Sequence, residues 1–226
     1  MRLLFGVMVG TLALGGVAGA QTPAQSAAPA TSAADKGYVE MVGQSATGNV
    51  TSQSFGVEAG VTIAPRLMVF VEAGKTKDVS PQALGSAAQR IAGSLSQTLS
   101  NVEFTVKEPV TFVAAGIRYS LLPPGASRIH PYVMGGYGMA RLQKNVRFSV
   151  GGSDVTDTLE QPPYYVTLGT DLTGTSSSGM IVAGGGVTVP VVTHLIFDFQ
   201  VRVGRILAED EAITVFRVGA GVGIRF

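Results

Sequence analysis

Apolar residues alternate with small or polar ones along most of this chain. The stretch TVFRVGAGVGIRF, residues 214–226, shows it plainly: Phe216, Val218, Ala220, Val222, Ile224 and Phe226 share one parity, and Arg217, Gly219, Gly221, Gly223 and Arg225 the other. A period of two is the mark of a strand with two chemically different faces. It recurs in eight runs, at 38–45, 54–63, 66–75, 110–121, 131–142, 179–189, 195–206 and 213–226.

The connections between the runs alternate in length. Those at 64–65, 122–130 and 190–194 are short, those at 76–109 and 143–178 are long, and the first and last are modest. Short turns at one end and long loops at the other are the plan of an outer-membrane barrel, with periplasmic turns opposite extracellular loops. Strands of about ten residues, tilted, suffice to cross a bilayer. The predicted fold is therefore all-β, an eight-stranded antiparallel up-and-down transmembrane β-barrel occupying 37–226, with one short amphipathic helix in a long extracellular loop. That helix is predicted over 80–100 (SPQALGSAAQRIAGSLSQTLS): Ser80 can cap it, Pro81 can take its first position, and Leu84, Ala88, Ile91, Leu95 and Leu99 form a stripe. Two roles stay open for it, a lid over the mouth or an element packed on the rim.

A soluble barrel of the lipocalin kind would also alternate, with its apolar side inward. The non-apolar faces here do not read as a water-exposed surface. They are Arg217, Gly219, Gly221, Gly223 and Arg225 in the last run, Met134, Gly136, Gly138 and Ala140 in the fifth, and Ile196, Asp198, Gln200, Arg202 and Gly204 in the seventh. Glycines with isolated charges suit the cramped interior of an eight-stranded barrel. The opposite faces, such as Leu195, Phe197, Phe199, Val201 and Val203, are uncharged and fit lipid, where Arg or Lys at the midplane would cost about 2–4 kcal/mol.

Composition agrees. Of the 226 residues only 14% are charged, 30 are Gly, and none is Cys or Trp, with a net charge of +1. Soluble domains carry about 25% charged residues. No basic stripe suggests a nucleic-acid partner. Residues 1–20, MRLLFGVMVGTLALGGVAGA, have one Arg, an apolar core and Ala18-Gly19-Ala20, the pattern of a secretory signal peptide cleaved before Gln21. Residues 21–36, rich in Ala, Pro, Ser and Thr, read as a flexible lead-in. Without Cys there are no disulfides and no lipid-modified cysteine.

The stretches HPYVMGGYGMA (130–140), LIFDFQVRVGRI (195–206) and the terminal GAGVGIRF resemble the small eight-stranded porin-family barrels of OmpA/OmpX type. The resemblance spans 37–226 and implies the bacterial outer membrane as location, its lipid as surroundings, and the barrel-assembly machinery as a partner during biogenesis. Phe226, preceded by Ile224 and Val222, resembles the insertion signal that this machinery recognises. No peptidoglycan-binding domain is expected after the barrel. The usual girdle Trp is absent, which leaves Tyr119, Tyr132, Tyr137, Phe197, Phe216 and Phe226 to mark the interfaces.

The inward parity collects charge. A hairpin at 64–65 brings Glu58 and Glu72 opposite each other with Glu40 close by, while the last hairpin, at 208–211, brings Arg202 and Arg217 together; Arg118 and Asp198 also point inward. Like charges on one wall need opposite charges across the bore, so salt bridges are expected among these seven residues. They would form either a fixed polar core or an electrostatic gate. Enzymatic readings lack their residues where they are needed. His130 and His194 fall at the periplasmic turns, and the acidic run 209–211 has no His beside it. No metal ligand set and no cofactor motif is present, so neither metal nor cofactor is expected. Two functions remain: a non-enzymatic structural or surface-interaction protein that presents loops 76–109 and 143–178 to a surface ligand or a host or cell partner, or a narrow gated pore for ions or small solutes. An eight-stranded interior just filled by side chains favours the first.

Overall fold

The computed structural model describes residues 36–123, 126–162, 164–169, 172–208 and 211–226. The expected signal peptide 1–20 and the lead-in up to residue 35 lie outside these, as do Pro163 and two residues of the acidic run, Glu209 and Asp210. The elements run β1 (Gly37–Thr47), β2 (Thr51–Ala64), β3 (Leu67–Thr76), α1 (Gln82–Leu95), β4 (Val102–Lys107), β5 (Val110–Ser120), β6 (His130–Val150), β7 (Ser153–Asp154), a 3-10 turn (Thr156–Thr158), β8 (Gly174–Pro190), β9 (Leu195–Ile206) and β10 (Ile213–Arg225). Strands β4 and β7 stand outside the ring, and the other eight close antiparallel in the order β1-β2-β3-β5-β6-β8-β9-β10.

Closure is made by β1 against β10, in register from Tyr38↔Arg225 to Thr47↔Phe216. The seam extends one residue further: the Lys36 N–H donates to the Phe226 carbonyl at 2.6 Å and the Lys36 carbonyl accepts from Thr62 at 2.9 Å. Lys36 is thus part of the wall, not of the lead-in. Around the ring the outward residues Met41, Val57, Val71, Ile117, Tyr137, Phe199 and Ile224 are all exposed, whereas the alternate positions are buried or half-buried. A closed ring with a continuous outward apolar band is an object for hydrocarbon, because closure pairs the wall strands' backbone groups and leaves the ring without an edge strand.

Inward aromatics lie where glycine leaves room. Tyr38 lies over Gly60 and Tyr132 over Gly186; a Cβ on Gly186 would stand 2.6 Å from the Tyr132 hydroxyl and would also collide with the Phe199 carbonyl.

Both long loops are more regular than the sequence suggests. β6 continues 21 residues to Val150, past the expected end at 142, and β4 pairs with that extension from Val102↔Val150 to Lys107↔Asn145. The alternation continues here but inverts. Arg141, Gln143, Asn145 and Arg147 are exposed while Leu142, Val146 and Phe148 are buried. The outward face turns polar because the strand has left the bilayer.

Helix α1 packs on this extension. Leu84, Ala88, Ala92 and Leu95 join Val146, Phe148, Val155, Leu159 and Leu172 in a second apolar core separate from the lumen. Ser86, Gln89, Arg90 and Ser94 are left on an exposed polar face. Ser80 does not cap the helix. Pro81 occupies the cap position without a side-chain bond, and the Ser80 hydroxyl donates to Asp78 Oδ1 at 2.6 Å. The hairpin from β6 to β7 turns on Gly151 and Gly152, whose φ of 59° and 83° suit glycine. Behind it Asp154 accepts from the Thr156 hydroxyl at 2.6 Å and from its N–H at 3.0 Å, which holds this exposed carboxyl below the usual range.

The Phe148 side chain is fully buried in the second core. Phe148→Ala is expected to cost that unit about 3–5 kcal/mol. Limited trypsin digestion should then cut loops 76–109 and 143–178 faster, while the temperature at which the folded band converts on a gel stays put. A fall in that temperature would mean that loop core and barrel unfold as one.

Candidate functional site

Neighbouring strands place like charges side by side. Glu40 stands opposite Glu58, and Glu58 opposite Glu72, so three carboxylates cross β1, β2 and β3 in one row. On the facing wall Arg202 of β9 stands opposite Arg217 of β10. Directly opposed like charges are destabilising on a sheet. Their relief comes from across the bore.

Arg202 splits its guanidinium between two acids, with Nη2 2.6 Å from Glu58 Oε2 and Nη1 2.8 Å from Glu72 Oε2. Arg217 Nη1 donates to the other Glu72 oxygen at 2.7 Å. Arg118, from β5, has Nη1 3.6 Å from Glu58 and 3.8 Å from Asp198, and its Nη2 donates to the Thr188 hydroxyl. Thr188 donates in turn to Asp198 at 3.1 Å, and the Tyr132 hydroxyl donates to Asp198 at 2.5 Å. The Tyr38 hydroxyl donates to Glu58. Three ring contacts complete the cage: Arg118 lies 3.4 Å over Tyr132 and 4.9 Å from the Tyr38 centroid, and Arg217 lies 4.5 Å over Phe112. Arg202 and Asp198 are at 0% exposure.

All seven lumen residues singled out from the sequence point inside, and six of them form this cluster. Glu40 is the exception. It is buried, beside Gly221 and Gly223, with neither oxygen hydrogen-bonded and no ion pair to a described residue. Tyr132 requires a correction: it is a lumen residue, 2% exposed, and not a girdle residue. Its parity already said so, since it matches Met134, Gly136 and Ala140. Tyr38 and Thr188 likewise have inward parity but carry no formal charge, and a search for charges passes over them.

Towards the loop end the bore becomes apolar. Val79, Val110, Phe112, Met180, Ile206 and Val215 surround a void of about 10 Å³, roughly one water in size. Val79 comes from the segment ahead of α1 and not from the wall. Asp78 pins that segment: its Oδ1 accepts from Ser80 and Glu108 N–H groups, each at 3.0 Å, and its carbonyl accepts from the Ser52 hydroxyl at 2.6 Å. No periodicity announces such a contact. At the other end His130 opens β6, and a ring nitrogen of His194 lies 3.2 Å from the Arg225 carbonyl. Val222, Ile224 and Phe226 are all exposed on the outward face.

Removing one partner of a buried ion cluster leaves charge uncompensated, at about 3–5 kcal/mol. Arg202→Met should therefore lower the conversion temperature of the folded gel band strongly. Adding Glu58→Gln to it, which leaves Arg217 with Glu72 and Arg118 with Asp198, should restore much of the loss. Equal stability of the single variant and the wild type would show that these ion pairs do not hold the walls together.

No family model matches this chain, and no curated protein is similar to it in sequence. Among solved structures, the N-terminal β-barrel domain of Pseudomonas aeruginosa OprF superposes with a TM-score of 0.50 at 13% identity, covering 84% of this chain and 96% of that one. Neisserial surface protein A gives 0.49 at 15% identity over 84% and 96%, and OprG from Pseudomonas aeruginosa gives 0.46 at 12% over 85% and 96%. At such identities the likeness speaks for fold alone. It agrees with what the closed ring and its apolar band establish independently: in fold, the chain is a small eight-stranded outer-membrane β-barrel.

Proposed function

We propose that this protein is a non-enzymatic component of the bacterial outer membrane that works through its long loops, with the lumen closed by its charge cluster and by Val79. The observation that carries the reading is the second core at the loop end, nine buried apolar side chains from both long loops and the β6 extension. Passive connections need no core. A packed platform beyond the bilayer is what holds a recognition surface in one shape. Tyr165, 74% exposed and at a positive φ of 52°, is presented from this region to a surface ligand or a host or cell partner. Val222, Ile224 and Phe226 line the outward face of the seam strand, where the barrel-assembly machinery would take hold of them during insertion. The placement of both histidines at the terminal end, away from the loops, supports a role without catalysis.

Single-channel recording of the mature protein in planar bilayers tests this, intact and with residues 80–100 deleted. Insertion is confirmed by the gel shift between unheated and boiled samples. Both proteins should be silent. Discrete conductance that changes on Glu72→Lys or Arg217→Glu would instead establish a narrow gated pore for ions or small solutes.

A further inference from the structure

Of the four carboxylates in the bore, three are answered by arginine: Glu58 and Glu72 by Arg202, Glu72 also by Arg217, and Asp198 by Arg118. Glu40 is the fourth. It is 1% exposed, and neither of its oxygens has a hydrogen-bond partner. A buried carboxylate costs too much to stand alone, and such a group in a folded protein points to a bound ion or water. Two buried amides on the same wall are in a similar condition. Gln44 leaves its Nε2 unbonded, and Gln200 leaves both Oε1 and Nε2 unbonded.

Register puts these three residues on the two sides of one bare strand. β10 separates β1 from β9, and its inward positions here are Gly219, Gly221 and Gly223. Gln44 and Gln200 both stand opposite Gly219, one from each side, and Glu40 stands opposite Gly223. The β1 side chains lean over the glycines: a Cβ on Gly221 would lie 3.2 Å from Glu40 Oε2, and a Cβ on Gly219 would lie 2.8 Å from Gln44 Cγ. β1 and β9 are two strand intervals apart, about 10 Å, so long side chains leaning in from both sides meet over the row. The charges around Glu40 do not answer it. Glu58 flanks it on β2 and Asp198 faces Gly221 from β9, while Arg118 and Arg202 are held by those two acids and by Glu72.

We infer that Glu40, Gln44 and Gln200 form a site for one monovalent cation, such as sodium, held over the glycine row of β10. The carboxylate supplies two oxygens and one negative charge, and Gln200 Oε1 supplies a neutral oxygen from the other side; hard cations take oxygen donors of this kind. The charge of the bore then closes, with three guanidiniums and one cation against four carboxylates. A divalent ion would need more negative charge than one free carboxylate gives. Among the described residues no three His, Cys, Asp or Glu side chains gather as a metal site. Glycine at 221 belongs to the design, because any side chain there would press on the carboxylate from below.

The test uses the mature chain folded in micelles of dodecyl maltoside, an uncharged detergent, in sodium chloride or in choline chloride at equal ionic strength and pH. Choline is too large for the site. A cation that binds the folded state raises the melting temperature followed by circular dichroism, by about 3–6 °C at ten times its dissociation constant. The wild type should melt higher in sodium, with a rise that saturates as the concentration grows. Glu40→Gln should melt alike in the two salts and, in choline, above the wild type, because the unanswered charge is gone. Gln200→Leu keeps that charge and should need several-fold more sodium for the same rise, which serves as the test if Glu40→Gln fails to fold. Glu103→Gln, at an exposed acid of the loops, should behave as the wild type. Equal melting of the wild type in the two salts would overturn the proposal and assign Glu40 a proton in the ion's place. A sodium response undiminished by Glu40→Gln or Gln200→Leu would overturn it as well, by placing the ion elsewhere. None of these outcomes bears on what the loops recognise.

Discussion

Inside hydrocarbon an unpaired backbone group costs several kcal/mol, and the pairing of β1 with β10, from Tyr38↔Arg225 to Thr47↔Phe216, removes the last edge at which such groups could occur. Closure with eight strands then dictates the interior. The bore is only wide enough for side chains to fill, so every inward residue meets one from another wall. Aromatics survive there by lying over glycine, as Tyr38 does on Gly60 and Tyr132 on Gly186. Charges survive by finding an opposite charge within reach, as Arg202 finds both Glu58 and Glu72.

Such a cluster is not in itself a source of stability. A buried ion network can often be exchanged for apolar residues at no loss, because desolvation offsets most of the attraction. Its value here lies in register. The side-chain period is two, so a slip of one residue in any strand would turn that strand's inward charges out into lipid. For Arg118, Arg202 or Arg217 that means about 2–4 kcal/mol each at the midplane, besides the lost partners. Four carboxylates, Glu40, Glu58, Glu72 and Asp198, share the bore with three guanidiniums, and Glu40 is the one the hydrogen bonds leave out. It adds to the penalty of a slip without a matching contact in the folded state.

Much of this was written into the chain. Period two and the alternation of short and long connections gave strand count and topology, because both follow from local geometry that no distant contact can alter. The rows Glu58↔Glu72 and Arg202↔Arg217 were legible for the same reason: a hairpin fixes its own register. Which acid answers which arginine was not legible, since Arg217 and Glu72 are 145 residues apart and meet only through closure. Tyr132 was misplaced although its parity was plain, because an aromatic near a strand end is the ordinary girdle residue. Val79 carried no signal at all. Its burial depends on Asp78 gathering the N–H groups of Ser80 and Glu108, a contact between the two ends of one loop.

The end of β6 was missed for a physical reason that also fixes the depth of the barrel. Up to Met139 the outward residues are apolar, and from Arg141 onward they are polar, while inward Ala140, Leu142, Val146 and Phe148 remain buried. Outward polarity therefore changes at one step, where the surroundings change from lipid to water, and a reading that defines the strand by its lipid face stops there although the backbone ladder goes on to Val150. The same step limits sliding. A shift of β6 by two residues into the bilayer keeps every side chain on its face but carries Arg141 into hydrocarbon, out of its row with Thr111. A shift the other way lifts Met139 and Tyr137 out of the band. Register is held by the charges inside, and height by the polar row outside.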